Sequence, residues 1–383
     1  MALKRGYKSS VKQRNMSLIK TPPMNAKQIM GDVRRMALTF LIALSSGWVF
    51  LKLNLPAPFM MGSLFGVWIA GGLMPSIRPH LGVARWFHIP VVLGLGVLIG
   101  ASFGGGFFEK VTLWWPTVSL MAITTLFVSC VSYYYLAVHR GYERTLSFLC
   151  CVPGGQAEAI VMAREMIEKD YIVALFHLVR VVVVFVSVPA LLALAKGQEA
   201  VENSNIMLQS MPSLTELPAS DIGAFCLLAI GGYFGGRLLR VPMAHLLGPM
   251  TASAVAHYMG WLALPRVNEF VILAQLAIGG GVGARLAQVA FSELRGYLRD
   301  ALFNCILTLG LFLTVAFSIS YLSELSFLPI WMAFVPGGLY EITLLGLVFG
   351  FDVAFIAFHH TARVILIFFS LPFMATYLRG HKS

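Results

Sequence analysis

The chain has 383 residues, 58% of them hydrophobic and only 12% charged, with a net charge of +11 at pH 7. A soluble globular domain carries about 25% charged residues, so this chain has too little polar surface to cover itself in water. Composition excludes a soluble globular fold and points to a polytopic integral membrane protein.

In chain order, the first 35 residues are polar and strongly basic. Lys4, Arg5, Lys8, Lys12, Arg14, Lys20, Lys27, Arg34 and Arg35 stand there against Asp32 alone. No apolar leader core is written into them, and they read as a cytoplasmic tail. No aromatic interleaving or binding fold accompanies the charge, so direct nucleic-acid binding is not expected. Attraction to anionic lipid headgroups is the other reading of such a tail. Long apolar runs follow: Met36 to Leu51, Pro90 to Phe103, Pro116 to Val138, Tyr171 to Leu194 and Val353 to Leu378. Runs of about 18 or more apolar residues read as membrane-spanning helices. The stretch 196–220 is polar and reads as an extramembrane linker. Cys130, Cys150, Cys151, Cys226 and Cys305 all lie in apolar stretches, with neither zinc nor disulfide spacing.

The chain is written twice. An offset of 183 residues sets Pro153, Gly154, Gly155 and Glu158 on Pro336, Gly337, Gly338 and Glu341. The same offset sets Ala174, His177, Arg180 and Pro189 on Ala357, His360, Arg363 and Pro372. Upstream the register drifts: Pro56 and Gly62 match Pro242 and Gly248 at 186, and Ile99 and Gly100 match Ile278 and Gly279 at 179. The reading is a tail over 1–35, one membrane repeat over 36–195 and the linker over 196–220. A second repeat over 221–378 and a short cytoplasmic end over 379–383 complete it.

Each copy holds about five spans plus a short Pro-Gly-Gly segment, which either crosses the bilayer or re-enters on one side. Crossing would give both copies one orientation and leave Arg285, Arg295 and Arg299 outside. Re-entry gathers those three with Arg78, Arg85, Arg140, Arg144, Arg164, Lys169, Arg237, Arg240, Arg379 and Lys382 beside the tail. The other side then keeps Lys52, Lys110, Lys196 and Arg266. Lys/Arg bias in short loops sets orientation, which favours re-entry. The expected fold is therefore all-α, with two inverted-topology repeats. About ten transmembrane helices and two broken or re-entrant segments would make it up, with both termini cytoplasmic at a bacterial inner membrane.

Proline and paired glycines are poor choices inside a helix, and irregular backbone at membrane depth is tolerated only inside protein or beside a water-filled cavity. A break there exposes helix N-termini at Gln156 and Leu339, which attract anions. Gly154, Gly155, Gly337 and Gly338 would supply the opened backbone. Glu158 and Glu341 follow each break, and carboxylates in a membrane usually serve a pathway or a proton relay. Arg180 and Arg363 are the available partners, with His177 and His360 on the same helix face three residues earlier. A purely structural Glu–Arg pair is the competing reading. His359 reads as a packing residue, and Asp170 and Asp352 as helix caps. The runs Gly104–Gly106 and Gly279–Gly281 read as close helix packing, or as a second discontinuous helix. No Ser/His/Asp arrangement, HExxH or P-loop is present, so no enzyme, cofactor or metal site is expected.

The doubled PGG..E followed by H..R, and the P.....G opening of each copy, resemble the membrane AbrB duplication family from about residue 36 onward. The second copy is the closer to the family's usual form. The first departs from it with Gln156 and the charged Arg164, Glu165, Glu168 and Lys169. The resemblance implies a label as a regulator of gene expression, and for some members one as ammonia monooxygenase. No DNA-binding module and no metal cluster accompany those labels here. The small soluble DNA-binding AbrB fold is a different one. The functional reading is a secondary transporter, proton-coupled in one version, of a small solute held at the midplane, with an organic anion preferred. The alternative is a membrane sensor that acts on gene expression through a partner. A homo-oligomer is compatible with either.

Overall fold

The computed structural model describes residues 26–154, 156–290 and 294–380. It is all-helical over them, and fourteen α-helices fall into two sets of seven. The first set is α1 (Ala26–Lys52), α2 (Pro58–Leu73), α3 (Arg85–Gly100), α4 (Phe107–Tyr134), α5 (Arg144–Cys151), α6 (Gln156–Met166) and α7 (Asp170–Gln209). The second is α8 (Ala219–Leu238), α9 (Ala244–Tyr258), α10 (Asn268–Ala287), α11 (Arg295–Leu322), α12 (Phe327–Phe334), α13 (Leu339–Val348) and α14 (Val353–Gly380). Seven described helices are long and apolar enough to cross a membrane. The shorter apolar helices are α2, α3 and α13. The chain is a polytopic membrane protein.

The duplication is written in the backbone as well. Left-handed backbone is uncommon outside glycine, yet it occurs at Asn54 and Ala57 before α2, and at Arg240 and Met243 before α9. Each pair is 186 residues apart. The halves then exchange partners. α2 packs on α10 of the other half, and α9 packs on α3. Glycines permit both contacts. A Cβ on Gly279 or Gly283 would strike the Met60 or Leu64 carbonyl, and a Cβ on Gly96 or Gly100 would strike those of Leu246 and Met250. This corrects the sequence register. Gly96 and Gly100 are the structural equivalents of Gly279 and Gly283, at 183 rather than 179. The Gly279–Gly281 run lies inside an unbroken α10, so it is a packing surface, and the discontinuous-helix alternative is not observed there. Gly104–Gly106 lie between α3 and α4.

Two boundaries differ from the sequence reading. Residues 26–35, assigned to the tail, are the first turns of α1, and Asp32 there accepts from Trp86 Nε1 of α3 at 3.3 Å. The linker is mostly helical: α7 kinks at Gly197 (φ 78°, ψ 179°) and continues to Gln209. Its polar face ties to both halves. Asn205 Nδ2 donates to Asn54 Oδ1 at 2.9 Å, and Asn268 Nδ2 donates to the Leu208 carbonyl at 2.8 Å. The rest of the tail, residues 1–25, lies outside the described residues, as do 381–383.

The remaining helices frame the breaks. α7 packs on α11 and α14 packs on α4, again an exchange between halves. Buried Asp300 of α11 holds the loop before α5: Arg140 meets it at 2.8 Å and the Tyr142 hydroxyl donates to it at 2.8 Å. Burial and that hydrogen bond push the Tyr142 phenol above its usual range.

Candidate functional site

α5 and α12 are eight-residue helices, each stopped by a proline two residues beyond its end. A helix C-terminus leaves four carbonyls without intrahelical partners. At α12 all four are taken. His360 Nε2 donates to the Met332 carbonyl at 2.8 Å. Arg363 Nη2 donates to Ala333 at 3.2 Å and Phe334 at 2.7 Å, and Nη1 to Val335 at 2.8 Å. A cation at that end also suits the helix dipole. The guanidinium lies 5.4 Å from the centre of the Phe312 ring and is 1% exposed.

The first half repeats only part of this. His177 Nε2 donates to the Leu149 carbonyl at 3.0 Å, the counterpart of His360 on Met332. Arg180 turns instead to His177 Nδ1. The Gly154 backbone of the first break approaches the Arg363 side chain, so the two breaks lie close together. Gly154 has φ 127°, and a Cβ there would press on Ile367 and approach Arg363. Gly155 lies outside the described residues, and so does the side chain of Glu158, whose backbone is in α6.

Glu341 does not join Arg363; no ion pair links them among the described residues. It stands in the first turn of α13, and its carboxylate folds back over Gly338, where a Cβ would collide with it. This explains the second glycine of the motif. The carboxylate is 3% exposed, and its Oε2 has no hydrogen-bond partner. It lines a cavity of about 310 Å³ between α3, α10 and α13. His88 and Tyr340 form a wall, with their rings edge to face at 5.9 Å. Arg85 and Arg285 line the cavity and are exposed.

The sequence-selected residues thus divide between two places. Gly154, His177, Arg180, His360 and Arg363 gather at the meeting of the breaks, where His177, His360 and Arg363 hold backbone ends. Gly337 lies between Val184 and Ile342. Gly338 and Glu341 belong to the cavity. Arg85, His88, Arg285, Gln288 and Tyr340 line it too and were not selected as site residues. Arg85 and Arg285 entered the sequence reading only as orientation charges, and at offset 183 Arg285 faces Ser102, so the repeat could not mark it. His359 packs as expected, with Nε2 2.9 Å from Thr117 Oγ1. Asp352 accepts from the Phe355 amide at 3.2 Å. No His/Cys/Asp/Glu cluster able to hold a metal occurs among the described residues.

A family described as "Transition state regulatory protein AbrB" matches residues 64–379. The chain is 25% identical over 334 residues to "Putative regulator AbrB" of Escherichia coli (strain K12), covering 86% of this chain and 92% of that one. It is 24% identical over 339 residues to "Uncharacterized protein YhjN" of Bacillus subtilis (strain 168), covering 82% and 86%.

Proposed function

The chain belongs to the AbrB family, and from that premise we propose that it is a secondary transporter of a small solute in a bacterial inner membrane. Its two halves run in opposite senses, as the bias of Lys and Arg among short loops argues, and both termini are cytoplasmic. Inverted halves around discontinuous helices are a recurring plan of such transporters. The observation that carries the reading is Glu341. A buried carboxylate with an unpartnered oxygen, on the first turn after a helix break and open to a cavity, is costly unless it binds something. Glu341 holds the solute or the coupling proton. Arg363 and His360 serve it indirectly, by keeping the end of α12 in place.

The test is reconstitution in liposomes, with isotope uptake and solid-supported-membrane currents recorded over a panel of small organic solutes. A saturable, pH-dependent flux that is lost in Glu341→Gln supports the reading. Flux that survives this variant unchanged removes Glu341 from the path, and no uptake across the panel removes transport. The printed name of the Escherichia coli relative favours a second reading, a membrane sensor that regulates gene expression through a partner. Deleting residues 1–25 separates the two: a transporter keeps its flux, whereas a sensor using the basic tail as its output arm loses its signal.

A further inference from the structure

The cavity at Glu341 is lined by a carboxylate and by two arginines, Arg85 and Arg285. Oε2 of Glu341 is buried without a hydrogen-bond partner, and the Tyr340 hydroxyl is the polar group beside the carboxylate. Arg285, exposed on the last turn of α10, lines the same space. It acts electrostatically on His88, Tyr340 and Glu341. No ion pair within 4.0 Å closes between Arg285 and Glu341 among the described residues. The two charges therefore face a shared space of about 310 Å³, at the small end of the range of ligand pockets.

We propose that this cavity takes a small zwitterion of the amino-acid class, its ammonium group on Glu341 and its carboxylate on Arg285; the inference rests on reading the cavity as the solute site. A plain carboxylate would satisfy Arg285 but bring no donor to the buried oxygen. A plain amine would satisfy Glu341 but set a second cation beside Arg285. A solute with both groups meets both Glu341 and Arg285, and charge-assisted hydrogen bonds to each are the strong kind. The His88–Tyr340 pair and Ile278 offer the side chain an aromatic and aliphatic wall.

Calorimetric binding to the purified protein in nanodiscs tests this with two matched sets: alanine, propionate and ethylamine; and leucine, 4-methylpentanoate and 3-methylbutylamine. In at least one set the amino acid is expected to bind about tenfold or more tighter than either half-probe, the scale of one charged hydrogen bond. Glu341→Gln erases the preference over the carboxylate, and Arg285→Gln erases the preference over the amine. Arg285→Lys retains most of the latter and, with matching melting curves, shows that the fold is intact. Equal binding of a half-probe, preferences that survive both variants, or no binding by any of the six overturns the proposal. Uptake separates it from the transport reading. Zwitterion binding without uptake overturns transport alone, whereas uptake of another solute class without zwitterion binding overturns this inference alone.

Discussion

Arg363 is a buried cation whose hydrogen-bond acceptors are all backbone carbonyls. Its removal strands those of Ala333 and Phe334, while Val335 keeps the Gly337 amide, and each buried unsatisfied group costs about 1–3 kcal/mol. Arg363→Ala is therefore expected to destabilise the fold by roughly 2 kcal/mol or more. Arg363→Lys recovers only part, since an ammonium cannot present the planar fork. Melting curves in detergent check this, and a lysine variant as stable as the parent would refute the capping role. Gly338 makes the complementary case. Gly338→Ala pushes the Glu341 carboxylate off its seat, so it should abolish solute binding as Glu341→Gln does. Near-parent affinity in a folded Gly338→Ala protein would show that the seat is not needed.

At the scale of elements, the two breaks share a sequence but not a backbone. Gly154 has φ 127°, while Gly337 is absent from the positive-φ positions. Gly154→Ala should cost about 1–3 kcal/mol as backbone strain. At Gly337 an added methyl meets only side-chain atoms of Ile342 and Val184, at 3.0 Å and 3.1 Å, and should cost less. Equal losses of melting temperature in the two variants would contradict this difference. The breaks themselves were legible because Pro and Gly act locally on the chain, and the apolar runs were legible because lipid demands them. What Glu341 faces was not legible. Its neighbours come from α3 and α10, far away in sequence, and their arginines looked like ordinary loop charges. The pairing of Glu341 with Arg363 is not formed among the described residues, because a helix end competes for the same guanidinium. Three carbonyls at the end of α12 outbid one carboxylate.

At the scale of the molecule, the halves are not neighbours but exchangers: α2 rests on α10, and α9 on α3. Each half alone keeps the glycine contacts of α1 with α2 or of α8 with α9, but loses those of α2 with α10 and of α9 with α3. Residues 1–210 and 211–383 expressed separately should each aggregate or be degraded, and their co-expression should restore a monodisperse complex. A stable, monodisperse single half would contradict the exchange. The duplication could be read from sequence, but its register at α3 and α10 could not. Neighbouring glycines offer several alignments, and only the carbonyls they touch select one. The unequal sealing of the two breaks has a consequence for motion. Four side-chain hydrogen bonds from α14 close the end of α12, whereas one from α7 closes the end of α5 among the described residues. Three additional bonds at about 1 kcal/mol each make release of the α12 end on the order of a hundredfold rarer than release of the α5 end. In the proposed transport cycle the first break is therefore the one that gives way, and the second stays latched.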